Sequence, residues 1–229
     1  MTGAQIQPAF RLNDQMLTNL FDEKYVRDHL EIRLIPENQI SDHTEHHRCF
    51  LTLPHCDFSI GFAIRINDSY GVTITEDYLK GTGKSFEDFW KMWLQTEQTE
   101  IEITPLDAIL ASFFSDPTVE KLEPAFQIYV CKYRHSSPGA ACILHPDVQE
   151  KLLDLIGPFY IIFSSVYESI IISQRDTTAY DLTELLREMN SRPEVVSPEE
   201  VASNYIYGVV EPRQLEKSTN KKSSINLWN

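Results

Sequence analysis

The densest collection of groups able to do chemistry lies between positions 42 and 56. There Asp42, His43, Glu45, His46, His47, Cys49, His55 and Cys56 place eight possible metal ligands within fifteen residues. Imidazoles, thiolates and carboxylates are the donors zinc accepts, and a zinc-bound water is a hydrolytic nucleophile near neutral pH. Structural sites normally pair their ligands as C-x2–4-C or H-x3–5-H. Here His46 and His47 are adjacent and Cys49 and Cys56 stand seven apart, so the two thiols meet only if a hairpin turn lies between them. The candidate metal set is His43, His46, His47, Cys49, His55 and Cys56. A solvated loop accounts for the same residues and is the preferred reading.

Gly81-Thr82-Gly83-Lys84-Ser85 resembles the end of a phosphate-binding loop, which needs G-x-x-x-x-G-K-[ST] so that successive amides wrap a phosphate. Position 78 is Tyr rather than Gly, and Glu76 to Lys80 reads as a helical turn, so a helix-capping turn is expected instead. Ser164 and Ser165, with Glu168 close behind and His55 brought in as a base, have the residue types of a nucleophilic site. No G-x-S-x-G elbow supports this, and turn-forming serines are the commoner arrangement. Phe86, Phe89, Trp90 and Trp93 fall at helical spacing, which makes them core before it makes them a docking face. Trp228 lies in a polar tail with no core of its own.

These groups must be positioned by an α+β fold. Phe159–Phe163 and Glu168–Ser173 flank the polar turn Ser164–Tyr167 and predict a β-hairpin. Phe58, Ile60, Phe62, Ile64 and Ile66 alternate with Ser59, Gly61, Ala63 and Arg65, predicting a strand that follows a turn at Pro54–Asp57 and a strand at Cys49–Leu53. Further strands are expected at Leu30–Leu34, Val72–Thr75, Phe126–Tyr133, Gly139–Leu144 and Tyr205–Glu211, with a polar loop over Glu37–Arg48. Helices are expected behind the caps Asn13, Ser85 with Asp88, Thr104-Pro105, Pro146 and Ser197-Pro198, and another carries Leu182, Leu185, Leu186 and Met189. The whole is a mostly antiparallel sheet with amphipathic helices on one side. It is read as a single domain over 1–216, with a two-lobed division near 116–125 as the alternative and a disordered tail over 217–229.

The chain has 229 residues, 34 acidic against 20 basic, for a net charge of -14. Such a surface repels nucleic-acid phosphates and anionic lipid heads, so direct nucleic-acid binding is not expected. Imitation of nucleic acid toward a basic partner is a weaker alternative, because the carboxylates are scattered rather than arrayed. Four cysteines, Cys49, Cys56, Cys131 and Cys142, read as reduced thiols. No leader and no apolar run near the roughly 18 residues of a membrane span is found, which predicts a bacterial-type cytoplasmic protein with no membrane partner.

Arg33-Leu34-Ile35, Leu53-Pro54-His55 with Asp57, Gly139-Ala140-Ala141, Phe163 to Glu168, Glu188-Met189-Asn190 and Ser203 to Tyr207 occur in this order along the chain. Together they resemble a domain family of unknown function widespread in gut clostridia, over about residues 24–212. The resemblance implies no established reaction or cofactor. Members often read Pro-Ser-Ser-x-His-Glu where this chain has Phe163-Ser164-Ser165-Val166-Tyr167-Glu168, so a role resting on that histidine does not carry over. The resemblance also implies an N-terminal region that this chain lacks.

The shared polar positions cluster at two hairpin tips, His55 and Asp57 on one and Ser164, Ser165 and Glu168 on the other. Loop tips on a rigid sheet are where binding residues collect. These five residues are the expected binding surface, with another protein as partner. No catalytic residue and no cofactor is assigned. The class favoured is a non-catalytic interaction or regulatory protein, of the kind encoded by accessory or mobile-element genes. The enzyme alternative is a metal-assisted hydrolase built on the His43 to Cys56 cluster.

Overall fold

The computed structural model describes residues 13–217 and 224–226, apart from 55, 69, 97–98, 115–126, 136–137, 195 and 212–213. Its strands form two antiparallel sheets. In the first, β1 (Leu30–Pro36) and β2 (Phe50–Thr52) flank β3 (Phe58–Arg65), and β4 (Gly71–Thr73) pairs with β3 beyond the end of β2. The second sheet holds β5 (Ile101–Pro105), β6 (Ile128–Tyr133), β7 (Phe159–Ile162), β8 (Ser169–Ser173), β9 (Ile206–Val209), β10 (Gln214–Lys217) and β11 (Ser224–Asn226). Their spatial order is β11-β10-β9-β7-β8-β6-β5. The α+β class and the antiparallel pairing are those expected, with the strands divided over two sheets.

Local signals account for most helices. α1 (Asp14–Asn19) is capped by Asn13, α2 (Glu23–His29) by Asp22 and α4 (Glu76–Thr82) by Thr75. α5 (Phe86–Gln95) opens on a reciprocal Ser85–Asp88 capping box, which satisfies two otherwise orphaned amides. Gly83, at φ +68°, ends α4, so the glycine- and lysine-bearing segment is the turn between two helices. α6 (Leu106–Phe114) follows β5 directly. α7 (Pro146–Ile156) begins with proline at its first position and ends at Gly157, and α8 (Ala179–Asn190) is capped by Thr178.

The residue alternation along each strand sets the two cores. Phe159, Ile161, Phe163, Ile171, Tyr207 and Val209 face the inner core with Ile32, Phe58, Ile60, Phe62, Phe89 and Trp93, while Ile162, Ile172 and Ile206 face Leu182 and Leu186 of α8. α8 therefore covers the side of the second sheet opposite α7. Phe89 and Trp93 are buried, so the aromatic face of α5 is core.

Four local expectations need correction. Residues 37–45 are not a loop but a 3₁₀ turn, Glu37–Gln39, followed by α3 (Ile40–Glu45). That helix is short and polar, so it carries no apolar period to reveal it. Ala140–Leu144 is a 3₁₀ segment rather than a strand, and every one of its side chains is fully buried. An apolar run enclosed on all sides has no periodicity with which to tell helix from strand. Ser197-Pro198 opens only a turn, with Glu200 N donating to Ser197 O at 2.9 Å, and Val201 then forms a bridge to Ser165. Finally, Gln214–Lys217 and Ser224–Asn226 are strands, although the tail has no β pattern; Trp228 lies outside the described residues. No helix among the described residues is long and apolar enough to cross a membrane.

Candidate functional site

α3 pulls the candidate metal ligands apart. His43 turns inward, its ring edge-on to Phe50 at 6.4 Å. His46 stays at the exposed end of the helix, with Nδ1 2.9 Å from the Asp42 carbonyl and 3.3 Å from its carboxylate. His47 takes a positive φ of 50° and accepts from Glu76 N at 2.9 Å through its carbonyl. Cys49 and Cys56 are half-buried and not disulfide-bonded, and burial raises the Cys49 pKa above its ordinary value. His55 lies outside the described residues. Among the described residues, no three His, Cys, Asp or Glu side chains come together to hold a metal ion.

The two hairpin tips meet a common segment, 201–204. On the first tip, the Asp57 carboxylate accepts from Ser203 Oγ at 2.5 Å, Tyr207 OH at 2.7 Å and Asn204 N at 2.9 Å. On the second, Ser203 N donates to Phe163 O at 3.0 Å, and Ser165 pairs with Val201. Phe58 seals the junction edge-on to both Phe163 and Tyr207, with centroids 5.2 and 5.5 Å away. Burial, with Cys56 and Asp57 beside it, pushes the Tyr207 phenol far above its ordinary value, so it remains a hydrogen-bond donor. Ser164 is buried, Ser165 Oγ accepts from Tyr167 N at 3.2 Å as in a serine turn, and Glu168 is half-buried just before β8. Asp57 and Ser165 are thus held mainly by bonds within the chain, and Ser164 is buried.

What Asp57 leaves open is a groove. Glu37, Asn38, Asp57, Asn190, Pro198, Val201, Ala202 and Asn204 enclose ≈440 Å³. Asn190 Nδ2 donates to Ser203 O at 3.0 Å and to Asn204 Oδ1 at 3.1 Å, while its own Oδ1 is buried without a partner. Among the described residues the groove wall carries two carboxylates, three primary amides and no cation.

A second polar cluster had no counterpart in the sequence reading. Glu31 lies on β1 with its side chain only 4% exposed. His135 Nε2 donates to its Oε1 at 2.6 Å, Arg65 Nε lies 3.2 Å from the same oxygen, and Arg33 Nη2 lies 3.5 Å from Oε2. The His135 ring stacks on Tyr133 at 5.3 Å and 11°, and the Tyr133 hydroxyl accepts from Ile32 N at 3.2 Å. The cluster thereby ties β1 and β3 of the first sheet to the end of β6 in the second.

Residues 5–208 match a family of unknown function, DUF5688. The chain belongs to that family. No curated protein and no solved structure matches it. The DUF5688 match takes in both polar clusters and the groove, and begins well before residue 24.

Proposed function

We propose that this DUF5688 chain is a non-catalytic interaction or regulatory protein, and that its groove takes an extended, basic segment of a partner protein. The observation that carries this reading is the groove wall, with Asn38, Asn190 and Asn204 beside Glu37 and Asp57. A primary amide offers both a donor and an acceptor, which is what an extended backbone needs on each side. The two carboxylates, on a chain of net charge -14, favour lysine or arginine in the bound segment.

The test is affinity capture from native-host lysate with the wild-type chain and with Asn38→Arg. Asn38 is exposed, and its amide makes a single long bond to Pro198 O at 3.3 Å. The variant should therefore fold with an unchanged melting temperature. The expected result is one stoichiometric partner that the variant loses and that a basic peptide competes away. Identical captures by both chains, or none by either, would discard the reading.

A further inference from the structure

A different cleft, on the polar face of the first sheet, has the opposite electrical character. It encloses ≈290 Å³ between β1, β3, α3 and Val166, and Arg33, Arg48, His43 and Gln39 line it with Pro138 and Val166 closing one side. Among the described residues no carboxylate lines it, although acidic residues outnumber basic ones by 34 to 20 along the chain. Two of its ring and guanidinium nitrogens, Arg33 Nε and His43 Nδ1, are buried without a hydrogen-bond partner among the described residues. A buried polar atom left unpaired costs about 1–3 kcal/mol, so this wall is incomplete as it stands. Arg33 is held from behind by Glu31 at 3.5 Å, and Arg48 from the side by Asp42 at 3.0 Å. Both guanidiniums are fixed in place with donors to spare.

From this geometry we infer that the cleft is a binding site for a small monocarboxylate with a short apolar body. Guanidinium groups present paired N–H donors that match a carboxylate's two oxygens. The enclosed volume sits at the lower end of small-ligand pockets, which limits the occupant to a compact molecule. The apolar wall supplies contact for its hydrocarbon part. The site is separate from the asparagine-lined groove and does not depend on the protein-interaction reading.

The experiment is calorimetric titration of the full chain with butyrate, hexanoate and benzoate at matched ionic strength. Hexanamide serves as the uncharged control and inorganic phosphate as the alternative anion. At least one carboxylate should bind saturably, hexanamide should not, and Arg48→Gln should weaken that carboxylate at least tenfold. Arg48 is partly exposed, so the unliganded melting temperature of this variant should stay near wild type and serves as the folding check. Arg33→Lys, which keeps the charge but not the fork, should weaken binding as well. No saturable binding by any carboxylate, equal binding of hexanamide, tighter binding of phosphate, or an unchanged affinity in Arg48→Gln would each overturn the assignment.

Discussion

Replacing Glu31 by Gln isolates the charge of the buried carboxylate at nearly constant shape. Its side chain is 4% exposed and faces His135, Arg65 and Arg33 at 2.6, 3.2 and 3.5 Å. Removing one partner of a buried ion pair costs about 3–5 kcal/mol, chiefly because the remaining charge stays desolvated. The Arg33 and Arg65 side chains are 22% and 18% exposed, so water can reach part of each guanidinium and lower that figure. The expected loss is about 2–4 kcal/mol, or roughly 5–15 °C in melting temperature for a chain of this size.

Urea unfolding followed by tryptophan fluorescence measures this directly, since Trp93 is fully buried. A cycle with Arg65→Met sharpens the test. If the cluster is one coupled unit, the double variant should be more stable than the sum of the single losses predicts, by about 1 kcal/mol or more. A Glu31→Gln loss below about 0.5 kcal/mol, or strict additivity with Arg65→Met, would refute the claim that this cluster joins the sheets.

Tyr207→Phe removes the 2.7 Å hydrogen bond to Asp57 and should cost about 1.5–3 kcal/mol by the same urea assay, the range for a bond to a charged group. Gly157 sits at φ 72° and ψ -159°, a region open essentially to glycine, and its Cβ would meet Arg175 at 3.3 Å. Gly157→Ala should therefore lose about 1–3 kcal/mol. Burial lowers the pKa of His145 below its ordinary 6.5, while its Nδ1 caps α7 by accepting from Asp147 N at 3.2 Å. The unfolded chain then takes up a proton before the folded one does. This contribution to stability is complete above 6.5 and is lost as pH falls toward the lowered folded value. Urea titrations at about pH 8 and about pH 5.5 should show that loss in wild type and a shallower slope in His145→Asn, which retains a capping side chain.

Elements whose signals are local were legible. The Phe159–Ser173 hairpin, the Ser85–Asp88 box and the Pro146 to Gly157 helix each announce themselves within a short stretch of sequence. β5 was hidden because Ile101 and Ile103 run straight into the Thr104-Pro105 helix-start signal. α2 was hidden because Tyr25 and Val26 are adjacent rather than periodic. The tip residue Asp57 was singled out through the family resemblance and its place in a turn, but its bonds to Ser203, Asn204 and Tyr207 span about 150 positions and depend on how the sheets meet. The Glu31 cluster was missed for the same reason, with His135 standing 104 residues away. One signal was present, since Glu31, Arg33 and Arg65 all fall on the polar parity of their strands. Parity identifies a shared face of a sheet, and only the fold determines whether that face is buried.

Arg33 belongs at once to the buried cluster and to the cationic cleft, and this links the stability of the sheet junction to the proposed carboxylate site. With Glu31 neutralised, the ion pair that holds Arg33 from behind is gone and the field in the cleft becomes more positive. A carboxylate ligand should then bind Glu31→Gln more tightly than wild type, and should raise the melting temperature of the variant by more. Titration of butyrate, hexanoate and benzoate into both proteins, at a temperature where the variant is folded, measures the difference. Equal affinities would mean that Arg33 does not face the ligand, and weaker binding by a fully folded Glu31→Gln would mean that Glu31 is needed to orient Arg33 rather than competing for it.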